Sequence, residues 1–152
     1  MPWYERAMKQ IDGDEINEPN LPAEVDKREL LERGVFDFAD ANDWKIPEKE
    51  PGSRHPGVCW QVDAEGSSAI LYKGTSQQPI RAKYLPAYAI LEPNKENGLA
   101  FRTYFRVTQP HQFRLRKLEL LYHDRLIGKL SEDDAAVITR VLRDLQEAID
   151  GN

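Results

Sequence analysis

Short extended runs bounded by turn-forming residues fill the middle of the chain, and they constrain its fold more than any other feature. There are about six such runs between residues 34 and 121, separated by segments rich in Pro, Gly, Asn and Asp. They are Val35–Phe38, Gly57–Val62, Ala69–Lys73, Tyr88–Leu91, Leu99–Val107 and Phe113–Leu121. Several strands at such short spacing are typical of a small, strongly bent antiparallel sheet or barrel.

Helices are predicted on either side of these strands. Ser131 supplies an N-cap, acidic residues follow in the first turn, and apolar residues then recur at helical spacing. That apolar stripe consists of Val137, Ile138, Val141, Leu142, Leu145 and Ile149. The segment 23–33 predicts an earlier helix, with Pro22 near its first turn and Gly34 at the left-handed position past its end. We therefore expect a mainly β, α+β fold: a small antiparallel barrel with a C-terminal helix and an N-terminal helical extension.

The composition of the 152 residues, 40% hydrophobic and 31% charged, fits one domain with an appendage. No run approaches the roughly 18 consecutive apolar residues of a membrane span, and Met1–Arg6 lack the layout of a signal peptide. We therefore expect a cytoplasmic protein without membrane contact. Cys59 is the single cysteine, which excludes an intramolecular disulfide and a zinc-type cysteine cluster. Nucleotide-binding glycine loops and His-Glu-x-x-His are absent, so we expect no metal and no cofactor.

The net charge of −5 is unevenly distributed. Residues 1–52 hold 14 acidic and 7 basic residues, whereas residues 53–152 hold 12 acidic and 14 basic residues. The acidic excess thus belongs to the front third, and the remainder can face a polyanion. We predict an acidic N-terminal extension with short helices over residues 1–33 and a barrel domain over residues 34–152. The extension either covers the basic part of its own chain or is a solvated appendage.

A first polar cluster precedes the strand that begins near Gly57. Glu50, Arg54 and His55 offer a carboxylate, a guanidinium and an imidazole within a few residues. Such a set can bind a phosphate group and move a proton. An ordinary solvated Pro/Gly turn explains the same residues.

A second polar cluster follows the run Ala69–Lys73. Hydroxyl and backbone N–H groups at Thr75 and Ser76 can hold phosphate oxygens in a turn. Arg81 and Lys83 lie further along and can follow a nucleic-acid backbone. Thr and Ser are also common in turns without any function.

A third cluster arises from strand alternation, which places one set of side chains on a common face. That face carries Arg102, Tyr104, Arg106 and Thr108, and His111 follows shortly after. Two arginines with an aromatic ring between them suit stacking on bases and neutralisation of phosphates in a single strand. The alternative is a face of cross-strand salt bridges.

Taken in chain order, these clusters resemble the MazF/PemK family of type II toxin–antitoxin toxins, over residues 34–149. The family has a Glu-containing loop and an Arg-Pro entering its second strand, a Thr-Ser after the next strand, and a Gly-x-Leu-Ser before its terminal helix. Its PemK branch adds an Arg-x-Asp-Gln-Pro stretch. The similar segments here are Glu50, His55-Pro56, Thr75-Ser76, Arg106–Pro110 and Gly128–Ser131.

The resemblance implies an SH3-like barrel, a homodimer, a cognate antitoxin as partner, and sequence-selective, metal-independent cleavage of single-stranded RNA. In such cleavage the RNA supplies its own nucleophile, the ribose 2′-OH. The protein then needs a base, a proton donor and positive charge, but no cofactor. The resemblance assigns Arg106 to transition-state stabilisation and proton donation, Thr75 and Ser76 to the phosphate, and Glu50 or His55 to the base.

Two positions depart from the family pattern. Thr108 stands where the PemK branch has its aspartate, and His55 stands where the family has the arginine of Arg-Pro. These departures motivate a second hypothesis, a non-catalytic barrel of the same fold. Such a module would bind nucleic acid, or DNA gyrase as the CcdB relatives do.

Overall fold

A seven-stranded antiparallel sheet organises the part of the chain that the structure, a computed structural model, describes: residues 27–63, 65, 67–79 and 87–151. The strands are β1 (Gly34–Ala39), β2 (Arg54–Asp63), β3 (Ser68–Thr75), β4 (Tyr88–Leu91), β5 (Thr103–Arg106), β6 (His111–Arg114) and β7 (Leu126–Lys129). The helices are α1 (Lys27–Leu31), α2 (Leu115–Arg125) and α3 (Glu132–Asp150). A one-turn π-helix (Asp40–Trp44) follows β1.

The sheet is curled because β3 changes partners along one of its edges. The strand order is β4-β5-β3-β2-β1-β7, with β6 also paired to β3. The first half of β3 pairs with β6, where Ala69 faces Phe113, and its last residues pair with β5, where Thr75 faces Tyr104. The other edge of β3 pairs with β2. The result is a half-barrel in a mixed α+β fold with a C-terminal helix, as the strand spacing predicts.

Two buried clusters lie on opposite faces of the central strands, since successive side chains of a strand point to opposite faces. The first contains Leu31, Phe36, Phe38, Trp44, Cys59, Val62, Ala69, Leu71, Phe113, Leu115 and Leu118. The second contains Val35, Val58, Trp60, Tyr72, Ala89, Leu91, Leu99, Phe105, Val107 and Ile138. Helix α2 contributes to the first cluster, and α3 contributes to the second.

The predicted strand Phe113–Leu121 is wrong, because β6 ends at Arg114 and α2 begins at once. The pairing of β6 with β3 ends where Arg114 faces Ser68, the first residue of β3. Beyond that point Leu115 and Leu118 are buried on one face of a helix, at the i, i+3 spacing. The apolar residues of this segment fit both the two-residue period of a strand and the 3.6-residue period of a helix. The chain becomes helical where β3, the pairing partner of β6, comes to its end.

The end of α1 also differs from the prediction. Arg33, and not Gly34, takes the left-handed conformation, with φ of 70°, and Gly34 is already the first residue of β1. The Arg33 guanidinium donates to the Trp60 carbonyl at 2.8 Å and lies 3.6 Å from the centre of the Trp60 ring. These contacts offset the cost of a left-handed non-glycine residue.

The predicted terminal helix is confirmed as α3. Its N-cap, Ser131, accepts a hydrogen bond from the Asp134 N–H at 3.1 Å. Ile138 is fully buried, whereas Ile149 at the end of the predicted stripe is 68% exposed. The predicted strand Leu99–Val107 is shorter in the structure and comprises only β5.

The first 26 residues of the predicted extension lie outside the described residues. The part of the predicted helix that is described, α1, contacts the rest of the fold in two ways. Leu31 is fully buried in the first cluster, and the Lys27 ammonium lies 2.6 Å from the buried carboxylate of Glu119 in α2. The end of the predicted extension is thereby attached to the first cluster and to α2.

Candidate functional site

An open groove of about 820 Å³ lies where the start of β2, the end of β3 and the loop before β5 meet. Its polar wall includes Glu50, Ser53, Arg54, His55, Lys73, Thr75 and Ser76. Because β2 and β3 are antiparallel neighbours, the start of one and the end of the other share an edge, and Gly57 faces Lys73. The two clusters that the sequence places about 20 residues apart therefore converge on one groove.

His55 and Asp40 form a hydrogen-bonded pair on the wall of this groove. His55 Nδ1 lies 2.7 Å from Asp40 Oδ1, and the Ser53 hydroxyl donates to Asp40 Oδ2 at 2.8 Å. Asp40 is only 3% exposed, whereas the side chain of His55 is 29% exposed. Since an ionised carboxylate can only accept, Nδ1 carries the proton, and in the neutral form of the ring Nε2 is the acceptor. This arrangement suits a general base.

The π-helix positions Asp40, its first residue. The Asp40 N–H donates to the Ser53 carbonyl at 3.0 Å, and the Asp40 carbonyl accepts from the Ile46 N–H at 3.0 Å. Trp44, its last residue, is buried in the first cluster, and its indole N–H donates to the His55 carbonyl at 3.1 Å. One turn therefore holds the backbone of His55 and the carboxylate that faces its ring.

A second buried carboxylate of the π-helix, Asp43, provides further contacts that hold it in place. Its Oδ2 accepts from the Ala39 N–H and from Arg125 Nε, both at 2.8 Å. Lys117 donates to the Asp43 carbonyl. Arg125 and Lys117 both belong to α2, so this helix anchors the turn that carries Asp40.

The environment of Asp40 favours its charged form. Burial raises the pKa of this carboxyl, but the hydrogen bonds from His55 and Ser53, together with the charges of His55 and Lys73, outweigh burial. The pKa of Asp40 therefore lies below its ordinary value of 3.8. Asp40 is thus an anion throughout the neutral range and can hold the His55 ring in one tautomer.

This pKa shift predicts a specific dependence of stability on pH. A carboxyl whose pKa is lower in the folded state stabilises the fold above its ordinary pKa, and that contribution is lost as the pH falls through the lowered pKa. Urea unfolding between about pH 5 and pH 2 should show a smaller loss of stability in Asp40→Asn than in the wild type. Asp144→Asn, an exposed aspartate of α3, is the control. An unchanged pH slope in Asp40→Asn would contradict the assignment.

Lys73 brings a positive charge to the groove near the pair. Burial lowers the pKa of Lys73, the charge of Lys49 adds to this, and the charge of Asp40 opposes it. Burial and the charge of Lys73 likewise lower the pKa of His111, which is therefore mainly neutral at pH 7. The His111 ring packs edge-on against Trp44, with 4.9 Å between centroids, and does not line the groove.

The other predicted site residues of the first two clusters occupy more exposed positions. Glu50 lies on the exposed loop that borders the groove. Arg54 Nε is 2.9 Å from Asp37 Oδ2, so its charge is paired, and 39% of its side chain is exposed. Arg81 and Lys83 lie outside the described residues.

The third cluster does not line the groove. Arg102 Nε pairs with Glu92 Oε2 at 2.6 Å, just outside the paired ends of β5 and β4, and Tyr104 is only 5% exposed. Arg106 and Thr108 are exposed. The register places Tyr104 against Thr75 and Phe105 against Gly74, so Arg106 follows on the side of Lys73 near the end of β3.

No local pattern in the sequence assigns a role in the site to Asp40, Ser53 or Lys73, although Ser53 and Lys73 lie within the first two polar clusters. Asp40 and Ser53 lie at the two ends of a stretch whose composition resembles a polar loop, and no local pattern predicts the π-helix. A usable signal for Lys73 is its position directly before Gly74-Thr75-Ser76. Cys59 is not a reactive group, because burial, followed by the charge of Glu32, raises the pKa of its thiol to about 12.

Neither the described residues nor known proteins point to a metal site, a membrane span or a family. Within the described residues there is no cluster of three or more His, Cys, Asp or Glu side chains that could hold a metal ion. None of the described helices is long and apolar enough to cross a membrane. No protein-family model matches the chain, and a search of curated proteins finds no significant match.

Proposed function

We propose that the protein is a metal-independent endoribonuclease of the MazF/PemK-like toxin type, and that the groove is where it cuts single-stranded RNA. The observation that carries this proposal is the Asp40–His55 pair, whose imidazole borders an open groove that is also lined by Lys73, Thr75 and Ser76. The curled sheet with its C-terminal helix is compatible with the SH3-like barrel of that family. The homodimer and the cognate antitoxin belong to the same proposal.

In the proposed reaction His55 Nε2 takes the proton of a ribose 2′-OH. The 2′ oxygen forms a bond to phosphorus while the bond from phosphorus to the 5′ oxygen breaks. Lys73, Thr75 and Ser76 hold the phosphate oxygens, on which charge develops in the transition state. The lowered pKa of Lys73 suits it to protonate the leaving 5′ oxygen. Arg106, beside the end of β3, neutralises the neighbouring phosphate.

The test is cleavage of a long, mostly unstructured RNA in EDTA, with both product ends mapped. We expect cuts at a short recurring motif that leave 2′,3′-cyclic phosphate and 5′-hydroxyl ends, because the nucleophile belongs to the RNA. Arg106→Ala should reduce cleavage, whereas His123→Ala, a histidine of α2 outside the groove, should not. Product ends of any other kind would contradict the proposal.

The non-catalytic barrel is the second candidate, and one observation favours it. Tyr104 is buried and Arg102 is paired with Glu92, so two members of the third cluster do not offer the open RNA face that strand alternation predicts. If folded protein leaves every RNA intact, the function becomes binding of nucleic acid or of DNA gyrase. Association with each, measured on the same preparation, separates these two partners.

A further inference from the structure

The groove has an apolar wall as well as a polar one. Among the described residues, Ile90, Phe101, Ile127 and Ile149 are the large hydrophobic side chains that remain exposed. Phe101 is 68% exposed and Ile127 is 40% exposed, and both of them line the groove that contains His55. Two exposed apolar side chains that line one groove together with polar residues form a candidate contact surface, because apolar surface rimmed by polar groups is typical of binding sites.

The loop that carries Phe101 is held in place by a buried asparagine. Asn97 is fully buried, and its amide oxygen accepts from the N–H groups of Asn94 and Leu99 at 3.1 and 2.9 Å. Its amide nitrogen donates to the Glu92 carbonyl at 2.9 Å and to Asp134 Oδ2 at 3.0 Å. The loop is therefore fastened to the first turn of α3.

Two further contacts continue this attachment toward the ring. The Lys129 N–H of β7 donates to the Glu96 carbonyl at 2.7 Å. The Thr103 hydroxyl of β5 donates to the Phe101 carbonyl at 2.8 Å. The ring of Phe101 is thus presented from a backbone tied to three elements, which lowers the entropy lost when a ligand packs on it.

We propose that Phe101 and Ile127 form a platform on which one unpaired base of a single-stranded nucleic acid stacks. This inference rests on the proposed function and adds the part of the site that holds a base. Apolar side chains that share one groove with Lys73, Thr75 and Ser76 match a ligand with a flat ring beside an anionic phosphate. An apolar peptide would satisfy Phe101 but would leave the polar wall without partners.

The test uses a probe that cannot be cut, so that binding is measured separately from cleavage. The probe is a random-sequence 2′-O-methyl RNA pool, compared with a base-free sugar–phosphate strand of equal length. Phe101→Ala should weaken binding of the pool by about 5- to 100-fold, the contribution of one stacked base. The same change should leave the weaker binding of the base-free strand unaltered.

Matched variants separate stacking from general effects of surface change. Phe101→Trp keeps a flat ring and should retain binding. Ile149→Ala removes an apolar side chain that is equally exposed, at 68%, but lies in α3 and does not line the groove. It should bind the pool as the wild type does. Gel filtration with light scattering checks that Phe101→Ala does not alter the oligomeric state.

Three outcomes would contradict the proposed base-stacking platform. It is overturned if the wild type does not bind the pool, if Phe101→Ala weakens both probes equally, or if the variant changes only the oligomeric state. Failure of the nuclease proposal is a separate result. A protein that binds the pool through Phe101 but leaves RNA intact retains the platform, whereas one that cuts RNA without needing Phe101 retains only the nuclease.

Discussion

Replacement of His55 by alanine is expected to lower the rate of RNA cleavage by about 10²- to 10⁴-fold, the contribution of a positioned general base. His55 is the groove imidazole whose Nδ1 is held by a buried carboxylate, at 2.7 Å from Asp40. Asp40→Asn should lose a similar factor, because the amide no longer requires a proton on Nδ1. The double variant should be little slower than either single variant, since the two residues act as one unit.

The comparison has internal controls. The backbone carbonyl of His55 accepts from the Trp44 indole, and His55→Ala retains that bond. Circular dichroism and urea unfolding should therefore show a native fold in this variant. His123→Ala measures the effect of losing a histidine elsewhere. If His55→Ala cuts RNA at the wild-type rate while Arg106→Ala does not, the chemistry belongs to β5 and the groove assignment is wrong.

Gly98→Ala is expected to destabilise the fold by about 2–5 kcal/mol, through two additive costs. The φ of Gly98 is 68°, a conformation that side chains rarely adopt. A Cβ there would also lie 2.0 Å from the Ile127 carbonyl oxygen, which belongs to the backbone of β7 and cannot move aside easily. The loop of Asn97 must then separate from β7. Urea unfolding monitored by tryptophan fluorescence measures the loss.

Gly52 provides the control for the conformational cost alone. Its φ is 79°, but a Cβ there would meet no atom within 4 Å. Gly52→Ala should therefore cost only the left-handed strain, roughly 1–2 kcal/mol. Equal losses in the two variants would mean that the approach of Gly98 to β7 adds nothing to stability.

The strands and the last helix could be predicted because their signals are local. β4 has the predicted bounds, and α3 begins after its predicted cap, Ser131. The prediction of α2 failed because Phe113 and Leu115 alternate as in a strand, while Leu115 and Leu118 repeat as in a helix. The point where the strand ends and the helix begins is set by the length of β3, the pairing partner of β6.

The groove could be predicted only in part. Glu50, His55 and Thr75 come together because the hairpin of β2 and β3 is itself visible in the sequence. Asp40 could not be identified, since its position depends on a π-helix held by Trp44 in the core and by α2 through Asp43. Such contacts join distant parts of the chain and leave no local pattern. The exposure of Phe101 could not be predicted either, because the sequence alone does not distinguish an exposed phenylalanine from a buried one.

The position of β3 in the sheet influences the order in which parts of the described fold unfold locally. This strand is paired on both edges, to β2 on one side and to β6 and β5 on the other, and it contributes Leu71 to the first cluster and Tyr72 to the second. Loosening either face alone leaves its amide hydrogens protected, because the ladder on both sides stays in place. Lys73 and Thr75 of the groove lie on this strand. At the end of the strand Lys73 is paired to Gly57 of β2 and Thr75 to Tyr104 of β5, so the polar wall of the groove is expected to stay assembled while less paired parts of the described fold open.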